Sequence, residues 1–293
     1  MAQTRYLDYH LPKRLLNAFF ARSLDGNRPV FHDIAATAPS LAVVTASYPE
    51  IRAECERLLA SRVPLPEYHS IDPGEAPISD TSDRGRWTVC ILEILGHRPA
   101  ANRARCPATC RAVSVVRDLV QAFFSILEPG KSVPLHEGPY LGYLRYHLGL
   151  VIPDDDAPVL RVGGQTYVWK AGEAVLFDDT WPHGVENRSR QLRAVLVVDV
   201  LRPMPRLASL VNRAVVRWIA SPTCATSRGS PQPRGGFVCS VVDRASIERL
   251  SLGPSGRLEA LVDAERPILD SSVEAAEDFP SRARIQGPGD ASS

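Results

Sequence analysis

His136-Glu137-Gly138-Pro139-Tyr140, then Leu144-Arg145-Tyr146-His147-Leu148-Gly149-Leu150, then Phe177-Asp178-Asp179-Thr180-Trp181-Pro182-His183, with Arg193 closing the stretch ahead of an apolar run over 194–198: these segments decide the reading of the chain. Residues 140–152 alternate as a strand does. Arg145, His147 and Gly149 fall on one face, and Leu144, Tyr146, Leu148 and Leu150 on the other. Pro153 and three aspartates end that run. Short strand-like runs follow at 160–162, 165–169 and 174–177, parted by Gly163-Gly164 and Ala171-Gly172. A last one at 194–201 stops at Arg202-Pro203.

Working outward, residues 121–127 form another apolar run before the turn Glu128-Pro129-Gly130-Lys131. From about Val115 onward, many short strands with Gly and Pro turns and no interleaved helices predict a mainly β jelly roll. Helical spacing predicts flanking N-terminal helices over 12–21 (Leu15, Leu16, Phe19, Phe20) and 47–62 (Ile51, Cys55, Leu58, Leu59), with an extended piece at 29–34 between them. Residues 63–86 read as loop, and 87–95 as a strand. A C-terminal capping helix is predicted over 205–220, with Leu207, Leu210, Val211, Val215 and Ile219 on one stripe; packing of that stripe on the barrel is the expectation, and a membrane-surface role is the alternative. Beyond 221 the composition turns to Pro, Ser, Gly, Arg and Ala, which predicts a mostly disordered tail to 293. The expected organisation is a lead-in over 1–44, a β-helix domain over 45–205, the capping helix over 206–220 and the tail over 221–293.

Bulk properties narrow the function classes. Lys plus Arg number 34 and Asp plus Glu 33, a net charge of +1, so nothing in the balance argues for nucleic acid or an anionic membrane surface. No run approaches the roughly eighteen apolar residues of a membrane span, and the first fourteen residues do not resemble a secretory signal. A soluble cytoplasmic protein is the expectation. The six cysteines are dispersed apart from Cys106 and Cys110, which reads as free thiols rather than a zinc site or disulfide framework. Basic residues are mostly Arg, with Lys only at 13, 131 and 170, as in a GC-rich bacterial genome.

The chemistry rests on three residues. Imidazole is a good ligand for first-row divalent metals, and barrel strands can bring His136 and His183 together. Arg193 then supplies a bidentate partner for an acidic cosubstrate. The arrangement reads as a non-haem iron oxygenase. The usual third ligand, a carboxylate two residues after the first histidine, is replaced by Gly138, and Glu137 would point to the opposite face. Asp179 is read as a carboxylate that orients water beside the metal.

Together with Ser125-Ile126-Leu127-Glu128-Pro129-Gly130, Trp87, residues 102–110, Asp199-Val200 and Arg202-Pro203, these motifs resemble the aspartyl/asparaginyl β-hydroxylase family over about 45–205. The resemblance implies a double-stranded β-helix fold that uses Fe(II), 2-oxoglutarate and O2. It also implies His136 and His183 as metal ligands, and Arg193 with Ser125 on the far carboxylate of 2-oxoglutarate. His147 would contact the cosubstrate near the metal, Arg145 the cosubstrate or an acidic group of the substrate, and Asp179 would stand behind the metal site. The expected activity is hydroxylation of an unactivated C–H bond in a small or peptidyl substrate, the β-carbon of an aspartyl or asparaginyl group or a related carboxylate or amide. Alternatives are an acyl-chain or natural-product hydroxylase similar to lipid A hydroxylases, and a cupin-like metal-binding module without catalysis. Replacing the carboxylate by glycine also leaves room for a halide, so halogenation is a further outcome to separate.

Overall fold

The computed structural model describes residues 10–71, 76–79 and 85–219, so the expected tail over 221–293 lies outside the described residues. Ten strands occur among them: β1 (Phe31–His32), β2 (Trp87–Ile94), β3 (Leu119–Leu127), β4 (Val133–His136), β5 (Tyr143–Val151), β6 (Val159–Val162), β7 (Gln165–Val168), β8 (Ala174–Phe177), β9 (His183–Glu186) and β10 (Arg193–Leu201). They form two antiparallel sheets, ordered β1-β8-β5-β10-β3-β2 and β4-β9-β6-β7. From β3 to β10 the chain passes back and forth between the two sheets, staying in the small one only for the β6–β7 hairpin. That winding is a double-stranded β-helix, as the short-strand pattern predicts. Gly163 and Gly164, at φ of +53° and +80°, make the two-residue turn of that hairpin.

Strand alternation places the core. Leu144, Tyr146, Leu148 and Leu150 face outward from the large sheet into a cluster with Ile51, Cys55 and Leu58 of the helix Tyr48–Ala60 and Val113 of the helix Pro107–Ser114. The other face of the same sheet packs against the small sheet through Phe123, Leu127, Phe177, Val195, Leu160 and Val185. One register thus sends aliphatic side chains to the helices and Arg145 and His147 to the interior. Four cysteines, 55, 90, 106 and 110, are buried as free thiols in the outer region.

Several expectations are corrected. The strand expected over 140–152 is shorter, because Tyr140 and Leu141 pack with Phe20 and Ala208 instead of pairing. The loop expected over 63–86 holds two one-turn helices, Tyr68–Ile71 and Ala76–Ser79. Three further short helical pieces, Ile34–Thr37, Pro39–Leu41 and Ala42–Ala46, precede the helix that starts at Tyr48. The C-terminal helix runs over Arg206–Ile219, and only part of the predicted stripe packs inward: Val211 and Val215 do, Leu207 and Leu210 do not. Ala208 and Asn212 are buried, with Val211, Val215 and Val216 partly so, while Leu207 and Leu210 are each 66% exposed. Asn212 decides the rotation: its Nδ2 donates to the Gly142 carbonyl at 2.6 Å, and its Oδ1 accepts from the Tyr140 hydroxyl at 2.7 Å. No helix among the described residues is long and apolar enough to cross a membrane.

Candidate metal and cosubstrate site

His136 ends β4 and His183 begins β9, and the two are direct cross-strand partners. Opposed side chains in an antiparallel pair lie close together, and these ring centroids are 4.1 Å apart. Each Nδ1 lies against a backbone carbonyl: His136 on Pro134 at 2.8 Å, His183 on Trp181 at 3.0 Å. A proton on Nδ1 in both rings satisfies those carbonyls and leaves both Nε2 atoms as lone-pair donors. Burial pulls both imidazoles below the usual histidine range. For His183 the neighbouring His136 and Arg145 add to that effect. Both are therefore neutral, the form that binds a metal. Among the described residues no group of three or more His, Cys, Asp and Glu side chains is arranged to hold a metal ion, and the histidine pair is the candidate donor set.

Gly138 explains why no third ligand stands there. Its backbone N–H donates to the Asp179 carbonyl at 2.8 Å, and a Cβ at this position would lie 2.6 Å from Asp179 Cγ. The Asp179 carboxylate already fills the space that a side chain on residue 138 would need. That carboxylate is fully buried, accepts from the Tyr143 hydroxyl at 3.0 Å and lies 3.4 Å from Arg145 Nη1. Its Oδ1 has no hydrogen-bond partner. Burial pushes it up to about 7; Arg145 opposes the shift and Asp199 adds to it. Asp178, the next residue, behaves in the opposite way. Burial pushes it up as well, but Arg202 at 2.8 Å, Thr180 and Arg28 overcome this and hold it below the carboxylate range. Asp178 fixes the loop that delivers His183, while Asp179 does not line the cavity itself and lies behind it, against Gly138, Tyr143 and Arg145.

Arg193 begins β10, opposite Leu127 of β3. It is 2% exposed, and its Nη1 reaches Ser125 Oγ at 3.5 Å while its guanidinium sits 4.2 Å over the Trp169 ring. Ser125 is in turn fixed by the Trp87 indole N–H at 3.0 Å. The Arg193 Nε has no partner, and no carboxylate balances the charge among the described residues; burial alone pulls the guanidinium down to about 9. A buried, unpaired guanidinium is costly, and a bidentate acid would relieve that cost. His147 is stacked on Trp169 with its Nδ1 unsatisfied, and burial, then Arg193, Arg145 and His183, hold it well below the usual histidine range.

One cavity brings His136, His183, His147, Arg145, Arg193 and Ser125 together. Arg145 lines it but is already engaged: Nε and Nη2 bind Asp199 at 2.9 and 2.8 Å, and Gln121 donates to the same carboxylate. Its expected contact with an acidic ligand must therefore be shared with two internal carboxylates. Asp199, Tyr143, Trp169 and Gln121 were not assigned roles from sequence. Asp199 carried a usable signal, a lone acid inside a β-branched strand.

A family model described as "Aspartyl/Asparaginyl beta-hydroxylase" matches residues 45–203. The chain is 39% identical over 192 residues to an ornithine lipid ester-linked acyl 2-hydroxylase of Rhizobium tropici, covering 65% of this chain and 66% of that protein. It is 32% identical over 126 residues to the aspartyl/asparaginyl beta-hydroxylase of Homo sapiens, covering 41% of this chain and 16% of that protein. The chain thus spans less than two-thirds of the length of these relatives. Among solved structures, a predicted oxalate decarboxylase from Thermotoga maritima is 19% identical over 41% of this chain and 84% of that one, with a TM-score of 0.28. That similarity is too low to carry weight here, and the fold stands on the sheet order.

Proposed function

The chain belongs to the aspartyl/asparaginyl β-hydroxylase family, and on that premise we propose that it is an Fe(II)- and 2-oxoglutarate-dependent dioxygenase that hydroxylates an unactivated C–H bond in the cytoplasm. The observation that carries this reading is Arg193: a buried cation without an acid partner among the described residues, sharing a cavity with two neutral imidazoles whose Nδ1 atoms are both committed to backbone carbonyls.

His136 and His183 would hold the metal through Nε2. Ferrous iron with 2-oxoglutarate and O2 supplies oxidising power that no amino-acid side chain has. Arg193 grips the distal carboxylate of the cosubstrate in a fork, and Trp87 keeps the Ser125 hydroxyl in place to support it. His147 offers a neutral imidazole toward the cosubstrate from β5. Arg145, anchored on Asp199, keeps a positive charge near Asp179. Asp179 holds a hydrogen-bonding position behind Gly138, where it can orient water and accept or release a proton at its free Oδ1.

For the substrate, a fatty-acyl chain is favoured over an aspartyl or asparaginyl group. The longer and stronger of the two likenesses is to a protein named as an acyl 2-hydroxylase. The aspartyl reading remains the second, supported by the human relative.

Purified protein supplied with Fe(II), 2-oxoglutarate and O2 should release succinate, and His183→Ala should abolish the release. Undiminished turnover in that variant would refute the metal assignment. Mass spectrometry of ornithine-type acyl lipids and aspartyl peptides for a gain of one oxygen decides the substrate, and repeating it with added chloride or bromide tests halogenation.

A further inference from the structure

The helix Arg206–Ile219 is held against the body by one face and leaves another uncovered. Ala208, Val211, Asn212 and Val215 point inward. Leu207, Leu210, Ala214 and Trp218 recur at three- and four-residue steps and fall on one outward stripe, with Leu207 and Leu210 66% exposed and Trp218 58%. Arg206, Arg213 and Arg217, spaced by seven and four, form a second exposed stripe beside it, and the helix contains no acidic residue. Arg213 is paired with Asp118 at 2.7 Å. Next to it the surface opens into a groove lined by Ser40, Arg117, Met204 and Ser209. The helix His10–Ser23 packs alongside through Leu16 and Phe19, and it too leaves Leu15 exposed together with Arg14 and Arg22.

We propose that this surface is a peripheral membrane dock. Helix 206–219 lies on an anionic lipid bilayer, with Leu207, Leu210 and Trp218 among the upper acyl chains and Arg206 and Arg217 at the phosphates. Three features favour lipid over a protein partner. Aliphatic side chains with a terminal indole suit the boundary between headgroups and acyl chains, where Trp is favoured. Arg206 and Arg217 flank such a stripe on a helix that carries no acid, and complement anionic headgroups. A second copy laid across the same stripe would oppose arginine to arginine. The inference rests on the helix alone and does not depend on the substrate being a lipid.

Flotation of the full-length protein with phosphatidylcholine vesicles, with and without phosphatidylglycerol, tests it. Wild-type protein should float with the mixed vesicles, more weakly at high salt, and Trp emission should shift to the blue. The triple variant Leu207→Glu, Leu210→Glu, Trp218→Glu should bind about tenfold or more weakly. Arg206→Glu with Arg217→Glu should lose the preference for phosphatidylglycerol. All should keep the wild-type thermal melt and succinate release without vesicles, which separates failure of docking from failure of the catalytic reading. Absence of wild-type binding, unchanged binding by the triple variant, or a dimer that the triple variant dissolves would each overturn the proposal.

Discussion

Gly138 and Asp179 compete for one volume: a Cβ on Gly138 would stand 2.6 Å from both Cγ and Oδ2 of Asp179. The missing third ligand is thus matched by a carboxylate that fills its place from the side. Gly138→Ala should destabilise by about 1–3 kcal/mol through overpacking, and combining it with Asp179→Gly should recover much of that loss. Urea midpoints of the three variants give the coupling. Additive effects would show that the two residues do not meet.

Arg193 separates stability from function. Arg193→Met keeps most of the packing on Trp169 and removes an uncompensated buried charge. Without 2-oxoglutarate, the variant should be more stable by about 1 kcal/mol or more. The 2-oxoglutarate concentration giving half-maximal succinate release should rise roughly 100-fold or more. Unfolding curves and initial rates on the same preparations check both directions, and a less stable variant would contradict the charge argument.

Arg145 and Asp199 form a buried pair with two contacts, at 2.9 and 2.8 Å. Asp199→Ala leaves the guanidinium with only the longer Asp179 contact and should cost about 3–5 kcal/mol. Asp199→Asn should cost less, since it preserves shape and one acceptor. Thermal melts rank the two, and equal costs would mean that charge is not what Asp199 contributes.

His147 sets a pH dependence. Its folded-state pKa lies well below the usual 6.5, first through burial and then through Arg193, Arg145 and His183. Below 6.5 the unfolded chain takes up a proton that the folded one refuses, so stability falls as pH drops below that value and is unaffected above it. The slope for one such group is about 1.4 kcal/mol per pH unit. His32, His136 and His183 are shifted in the same direction and add to it. His147→Phe should reduce the slope by one proton, measured as urea midpoints between pH 5 and 8. An unchanged slope would show that His147 is protonated in the fold.

Strand alternation in 143–151 was readable because one face had to be aliphatic, and the structure puts those residues where the pattern does. β4 and β9 show no such alternation: at four residues each, with Pro134 in one and Gly184 in the other, they are too short for their ends to be read, although both histidines were placed in extended segments. Their histidines were picked out by residue type and by the resemblance to known hydroxylases. The rotation of helix 206–219 was misread because Asn212 looks like a surface residue until its two buried partners are known. The net charge of +1 likewise hid the local arginine stripe, since a sum over the chain has no position. Pairings such as Arg145 with Asp199 join residues 54 apart and are settled only by sheet register.

His136 and His183 face one another because β4 and β9 pair in a single alignment. A slip of either strand by one residue would turn its histidine to the opposite side of the sheet from the other, and the donor pair would be gone. Assembly of the small sheet therefore acts as a safety interlock: a misaligned chain cannot build the pair of imidazoles on which the proposed oxidising chemistry depends.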